Sequence, residues 1–158
     1  MSDLSLNVFR EMEYNKDKSK NICRRRSYGV TSEVRCRGCG YSGNFRFGLG
    51  MFHSSLARCL GEFPYWERKE LEELLEDKEV NDYQFSFQLT QCQECLCLSS
   101  RPTIKFLFED GSHSHNYPRC TKCRSENVRI LSLDWLEMAR CPFCREKSLE
   151  KGIGGTWE

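Results

Sequence analysis

At 158 residues the chain has room for one ordinary domain or two small ones. A net charge of +1, with 30% charged residues, builds no global field towards nucleic acid or membrane, and no stretch has the length of an apolar membrane span. Hydrophobic residues reach only 39%, cysteine included, so the core is modest and crosslinks would help to offset chain entropy.

The opening Met1-Ser2-Asp3-Leu4-Ser5-Leu6 has no basic segment followed by an apolar run, which predicts a chain without a secretory signal. Residues 1–29 read as a flexible basic extension. Leu4, Leu6, Val8, Phe9 and Met12 could form a short docking element, but residues 15–21 have no apolar period. Lys16, Lys18, Lys20, Arg24, Arg25 and Arg26 set six positive charges against Asp17. They serve either as a solubilising tail or as an arm that touches phosphates.

Val30, Ser32 and Val34 alternate with Thr31, Glu33 and Arg35, a short strand that feeds Cys36-Arg37-Gly38-Cys39-Gly40. Gly40 stands where φ is expected to turn positive. Phe45, Phe47, Leu49 and Met51 recur at period two, so a strand with one buried face follows. Gly48 and Gly50 on its other face mark either a bend or the close approach of another backbone. Ser54 or Ser55 caps a short helical turn through Leu56, Cys59 and Leu60. Pro64 suits the first turn of a longer helix carrying Leu71, Leu74 and Leu75. Glu67, Glu70, Glu72, Glu73, Glu76 and Asp77 cover the rest of it, as a solvated face or a docking surface for a basic partner.

Tyr83, Phe85, Phe87 and Leu89 alternate with polar residues, the clearest strand in the chain, and it runs into Cys92-Gln93-Glu94-Cys95. An apolar exit at Leu96, Cys97 and Leu98 resumes at Ile104, Phe106 and Phe108. The segment from His113 to Asn116 reads as a polar loop. Val128, Ile130 and Leu133 suggest another strand, and Ile153 to Trp157 could add an edge strand at the end.

Eight of the eleven cysteines form four CxxC pairs: Cys36–Cys39, Cys92–Cys95, Cys120–Cys123 and Cys141–Cys144. Two intervening residues let the backbone curl so that both sulfurs face one ion, and two such knuckles supply the four soft ligands of tetrahedral Zn²⁺. A reducing compartment does not hold such pairs as disulfides, which favours metal and a cytoplasmic chain. The expectation is two zinc ions per chain. Seventeen residues separate the third pair from the fourth, within the range of a single zinc site. The sequential pairing is therefore expected, Cys36/Cys39 with Cys92/Cys95 and Cys120/Cys123 with Cys141/Cys144. A crossed arrangement, first with third and second with fourth, is the alternative.

The predicted fold is small α+β: two four-cysteine zinc ribbons, each an antiparallel β-hairpin, with one inserted acidic helix. Residues 30–100 would hold the first ribbon and the helix, and residues 101–158 the second. Of the remaining cysteines, Cys23 reads as a linker thiol and Cys59 and Cys97 as small core residues, with Cys97 also near enough in sequence to compete for an ion. His113 and His115 lack the acidic or thiol neighbours of a third metal site.

Four thiolates leave zinc no open position for water or substrate, so the metal is expected to be structural and the chain not an enzyme. The chain has no P-loop, GxSxG or HExxH. A binding or scaffold module for a protein partner is the leading expectation. The alternative is a nucleic-acid-binding regulator using the basic arm with Arg35, Arg37 and Arg46 and stacking rings at Tyr41, Phe45 and Phe47. A thiol–disulfide enzyme is a lesser alternative.

The run Cys36-Arg37-Gly38-Cys39-Gly40-Tyr41, followed by Gly48-Leu49-Gly50-Met51, resembles the opening of small uncharacterised bacterial zinc-ribbon proteins. Those proteins carry later CxxC pairs and a closing Cys-Pro-x-Cys, which Cys141-Pro142-Phe143-Cys144 matches. The resemblance spans the layout of residues 34–158. It implies zinc-ribbon architecture and carries no known activity, and the segment before Cys36 lies outside it.

Overall fold

A computed structural model describes residues 29–49 and 53–157. The basic extension up to residue 28, Cys23, Gly50 and Met51 lie outside the described residues. Among the described residues, two antiparallel sheets and two short α-helices make a mixed α+β fold. Among the described residues no helix is long and apolar enough to cross a membrane.

The first sheet has three strands, with β1 (Gly29–Cys36) between β2 (Ser42–Phe47) and β7 (Leu149–Trp157). The closing segment is indeed an edge strand. Its partner is the first strand of the described chain, with Cys36 opposite Leu149 and Gly29 opposite Trp157. The second sheet has four strands, in the order β5 (His113–His115), β4 (Leu98–Phe108), β3 (Val80–Cys92) and β6 (Val128–Leu131). Each sheet takes strands from both sides of residue 100, so a cut there would pass through both.

Helix α1 (Leu56–Gly61) is capped by Ser55, whose hydroxyl accepts from the Arg58 amide. Helix α2 (Tyr65–Glu76) follows Pro64, which takes the cap position rather than the first turn. A 3₁₀ stretch, Leu133–Met138, follows β6 where Leu133 had suggested more strand. The expected break in β4 is also absent. Pro102 lies within the strand opposite Phe87, before β4 begins to pair with β5 at Lys105, so its missing N–H costs no ladder bond to β5.

Two apolar cores follow from this layout. The first gathers Val34, Phe45, Leu89, Leu98, Leu136 and Leu149. The second sets Leu60, Phe63 and Leu71 of the helical segment on Phe85, Phe87, Ile104 and Phe106 of the sheet. Phe85, Phe87 and Leu89 share one face of β3 because side chains alternate along a strand. That face passes from the second core into the first, and the β3–β4 hairpin joins the two. Gly48 adds a link between the sheets. Its φ is +75°, and its amide and carbonyl bond the carbonyl and amide of Phe87 at 3.0 and 2.8 Å. Of the alternatives in the sequence, the close approach of another backbone occurs at Gly48.

Candidate metal centres

All four CxxC segments fold into the same turn. The amide of each first cysteine bonds a carbonyl five residues on: Tyr41, Cys97, Ser125 and Glu146, at 2.8–3.0 Å. The carbonyl of each first cysteine accepts from the amide four residues on: Gly40, Leu96, Arg124 and Arg145, at 2.9–3.2 Å. Those four residues have φ of 76°, 60°, 62° and 65°. Glycine meets this left-handed requirement at no steric cost, whereas leucine and the two arginines are held there against a cost of about 1–2 kcal/mol each. Three turns also aim the second intervening amide at the first sulfur, from Gly38, Lys122 and Phe143 at 3.3–3.4 Å. Amides that point at sulfur favour its anionic form.

The knuckles meet in nested fashion. Cys36, Cys39, Cys141 and Cys144 form one group, and Cys92, Cys95, Cys120 and Cys123 the other, with the sulfurs of each group within 4.8 Å of one another. This corrects the sequential pairing, and it is not the crossed one. Strand pairing decides it. β7 leaves the fourth knuckle and runs along β1, which places Ser148 beside Cys36, with the Arg37 amide on the Ser148 carbonyl at 3.0 Å. β6 leaves the third knuckle and pairs with the end of β3, so Val128 stands opposite Cys92 and the Gln93 amide bonds the Asn127 carbonyl at 2.8 Å. The second knuckle is itself the turn of the β3–β4 hairpin.

The sulfurs stand at metal-site distances. Cys36–Cys144 and Cys39–Cys141 are 3.6 Å apart, and Cys92–Cys123 and Cys95–Cys120 are 3.5 Å apart. A disulfide needs about 2.05 Å. Tetrahedral Zn–S bonds of about 2.3 Å place sulfurs about 3.8 Å apart. The residues fit a tetrahedral soft metal ion.

The thiols of the two groups differ in acidity. The Ser148 hydroxyl, 2.9 Å from Cys36 Sγ, is the main cause that draws this thiol down to about 6. Burial pushes Cys95 up to about 12. Cys39 goes up to about 11: a backbone hydrogen bond at Tyr41 opposes the shift, while burial and the neighbouring thiols drive it. Crowded thiols without a cation divide in this way, because one thiolate disfavours the next. A bound cation removes the conflict and lets all four ionise.

The other candidates fall elsewhere. Cys59 is fully buried in the second core, its thiol pushed up to about 11 by burial. Cys97 belongs to neither metal group. His113 and His115 lie in β5, a strand where a loop was expected, and neither belongs to a metal group among the described residues. His53 is buried, with Nε2 2.9 Å from Glu62 Oε1 and its ring stacked 4.9 Å from Phe85. Arg35 and Arg37 pair with Glu150 at 2.9 and 3.5 Å, Arg46 pairs with Glu62 at 3.6 Å, and Phe45 is buried.

One pair went unread in the sequence. Nη2 of Arg101 bonds both carboxylate oxygens of Glu67 at 2.7 Å, with both side chains buried. The signal was present, since Glu67 stands one turn before Leu71 on the stripe that faces the core. The Arg119 amide adds a bond to Glu67 at 3.2 Å, and its guanidinium reaches Glu70 at 3.2 Å. The acidic helix is thus partly neutralised from within.

No protein-family model, curated protein or solved structure matches this chain.

Proposed function

We propose that each four-cysteine group holds one Zn²⁺ and that the protein is a non-catalytic binding or scaffold module for a protein partner. The carrying observation is that all four candidate ligands in both groups are cysteine sulfurs. Such a site is closed, with no position for water or substrate, and its binding energy goes into folding. The ligands would be Cys36, Cys39, Cys141 and Cys144 in one site and Cys92, Cys95, Cys120 and Cys123 in the other. All eight sit in the same structural turn, so no single knuckle is set apart as a redox motif. The protein partner is favoured over nucleic acid because Arg35, Arg37 and Arg46 are engaged by carboxylates and Phe45 is buried. A reducing compartment such as the bacterial cytoplasm goes with this reading.

Native mass spectrometry with and without chelator tests the metal. The expected result is two zinc ions per chain and loss of folded charge states on chelation; a folded apo form with intact thiols would overturn it. The absorbance ratio of freshly purified protein tests the partner class. A clean protein spectrum is expected, while co-purifying nucleic acid released by high salt would favour the basic arm instead.

A further inference from the structure

One buried side chain reaches the ligand turns of both four-cysteine groups. Gln91 is 3% exposed and stands in β3 next to Cys92. Its Nε2 donates to the Leu96 carbonyl at 3.2 Å and to the Arg140 carbonyl at 2.6 Å. Both partners are acceptors, so the amide nitrogen must face them and both of its N–H groups are used. Leu96 is the left-handed residue of the second knuckle, with φ 60° and its amide on the Cys92 carbonyl at 3.0 Å. Arg140 shares its peptide bond with Cys141, the first cysteine of the fourth knuckle. The nitrogen of that peptide makes the knuckle's own bond, to the Glu146 carbonyl at 2.9 Å. A single peptide plane therefore carries the Gln91 bond on its oxygen and the bond of the fourth knuckle on its nitrogen.

This bridge gives the two groups a shared ordering step. A leucine at positive φ is held against strain, and an ion on Cys92 and Cys95 would fix the turn that contains it. Once the Leu96 carbonyl is fixed, one N–H of Gln91 is anchored and the other is aimed at the Arg140–Cys141 peptide. A second ion then meets a knuckle that is already partly ordered, and the entropy of the bridge is lost once for two ions. Linkage makes the effect equal in the reverse direction. A glutamine that served only its own turn would need only the Leu96 bond. The shorter bond goes instead to the other group, 49 residues along the chain. Packing runs the same way, since Cys36 and Cys141 share a core with Leu89 and Leu98 of the hairpin that carries Gln91.

We propose that Gln91 couples the two metal sites, so that an ion in either one strengthens binding at the other. The coupling rests on the reading that each group holds one Zn²⁺. It adds a property that neither site has alone: passage between empty and doubly loaded chains with the singly loaded form depleted.

The test starts from the full-length, zinc-loaded chain, with release followed by competition against a metal-sensitive dye. Cys36→Ser leaves one site and Cys123→Ser leaves the other, and neither cysteine lies in a turn that Gln91 bonds. The overall affinity of the intact chain for two ions should exceed the product of these two single-site affinities about tenfold. Gln91→Met keeps the side-chain length without the donors, and in the three matching chains the excess should fall about fivefold, the loss of about one net hydrogen bond. Gln93→Met, whose amide donates to the Gln91 carbonyl at 3.2 Å within the same segment, should leave the excess unchanged. A merely structural Gln91 would lower the separate affinities and leave the excess where it was, which would overturn the proposal. Native mass spectrometry of the wild type at one zinc per chain gives a readout that needs no variant. Independent sites put at least half of the chains in the one-zinc form, and coupling should bring that share below half. A share of half or more would overturn the coupling. A folded chain that binds no zinc would sink the metal reading itself, whereas two ions bound independently would sink only the coupling.

Discussion

Ser148 is the residue through which a neighbouring strand reaches one of the four-cysteine groups. Its hydroxyl lies 2.9 Å from Cys36 Sγ, and a bond donated from it to the Cys36 thiolate lowers the cost of deprotonating that thiol. Without the hydroxyl the Cys36 thiol rises towards its ordinary range and protons compete better with metal. Ser148→Ala should therefore weaken the metal site of Cys36 about tenfold, the lower end for outer-shell changes, and leave the other site unaltered. Chelator competition followed with a metal-sensitive dye would read this as one weakened site in two. The left-handed residues of the knuckles allow a second check. Gly40 has φ +76° with nothing within 4 Å of an added Cβ, so substitution there meets backbone strain rather than crowding. Gly40→Val should cost about 1–2 kcal/mol, read as a lower urea midpoint of the zinc-loaded protein. A cost near zero would mean that the turn is held by the metal regardless of side chain.

At the scale of elements, α2 is tied to the second sheet by a charge pair as well as by leucines. Glu67 and Arg101 are 4% and 5% exposed, and the Arg101 Nε finds no hydrogen-bond partner among the described residues. Removing one charge strands the other in an apolar setting. Glu67→Gln should destabilise the fold by about 3–5 kcal/mol. The pair itself has little net worth, because both ions gave up water to enter. Glu67→Leu combined with Arg101→Met should thus recover most of the loss, and thermal unfolding of the three variants would show it. A double variant no better than the single one would mean that the pair supplies stability in its own right.

For the molecule as a whole, the nested pairing makes the two sites unequal. One site links residues 102 to 108 positions apart, and the other links residues 25 to 31 apart. The outer link removes more freedom from the unfolded chain, by about 1 kcal/mol from loop length alone. The inner site stands at the tip of the β3–β4 hairpin, whose strands contribute to both cores. Cys36→Ser should lose one metal ion and raise hydrogen exchange in β1, β2 and β7, with β3 and β4 protected. Cys92→Ser should raise it across both sheets. If Cys36→Ser disturbed the Cys92–Cys95 knuckle first, the nested arrangement would be wrong.

The four CxxC turns, the mixed fold and most strands were legible in the residues, because knuckle spacing and side-chain alternation are local properties of the chain. Gly40 was legible for the same reason: the turn demands a φ that glycine meets freely. Leu96, Arg124 and Arg145 take the same conformation without that marker, and only the folded turns reveal them. Which knuckles share an ion was not a local property. Seventeen residues between the third and fourth pairs suit one site, yet β6 and the 3₁₀ stretch spend those residues carrying the chain from one sheet to the other. Strand partners are chosen by burial across long separations, so the pairing of β1 with β7 and of β3 with β6 decided what the spacing had left open.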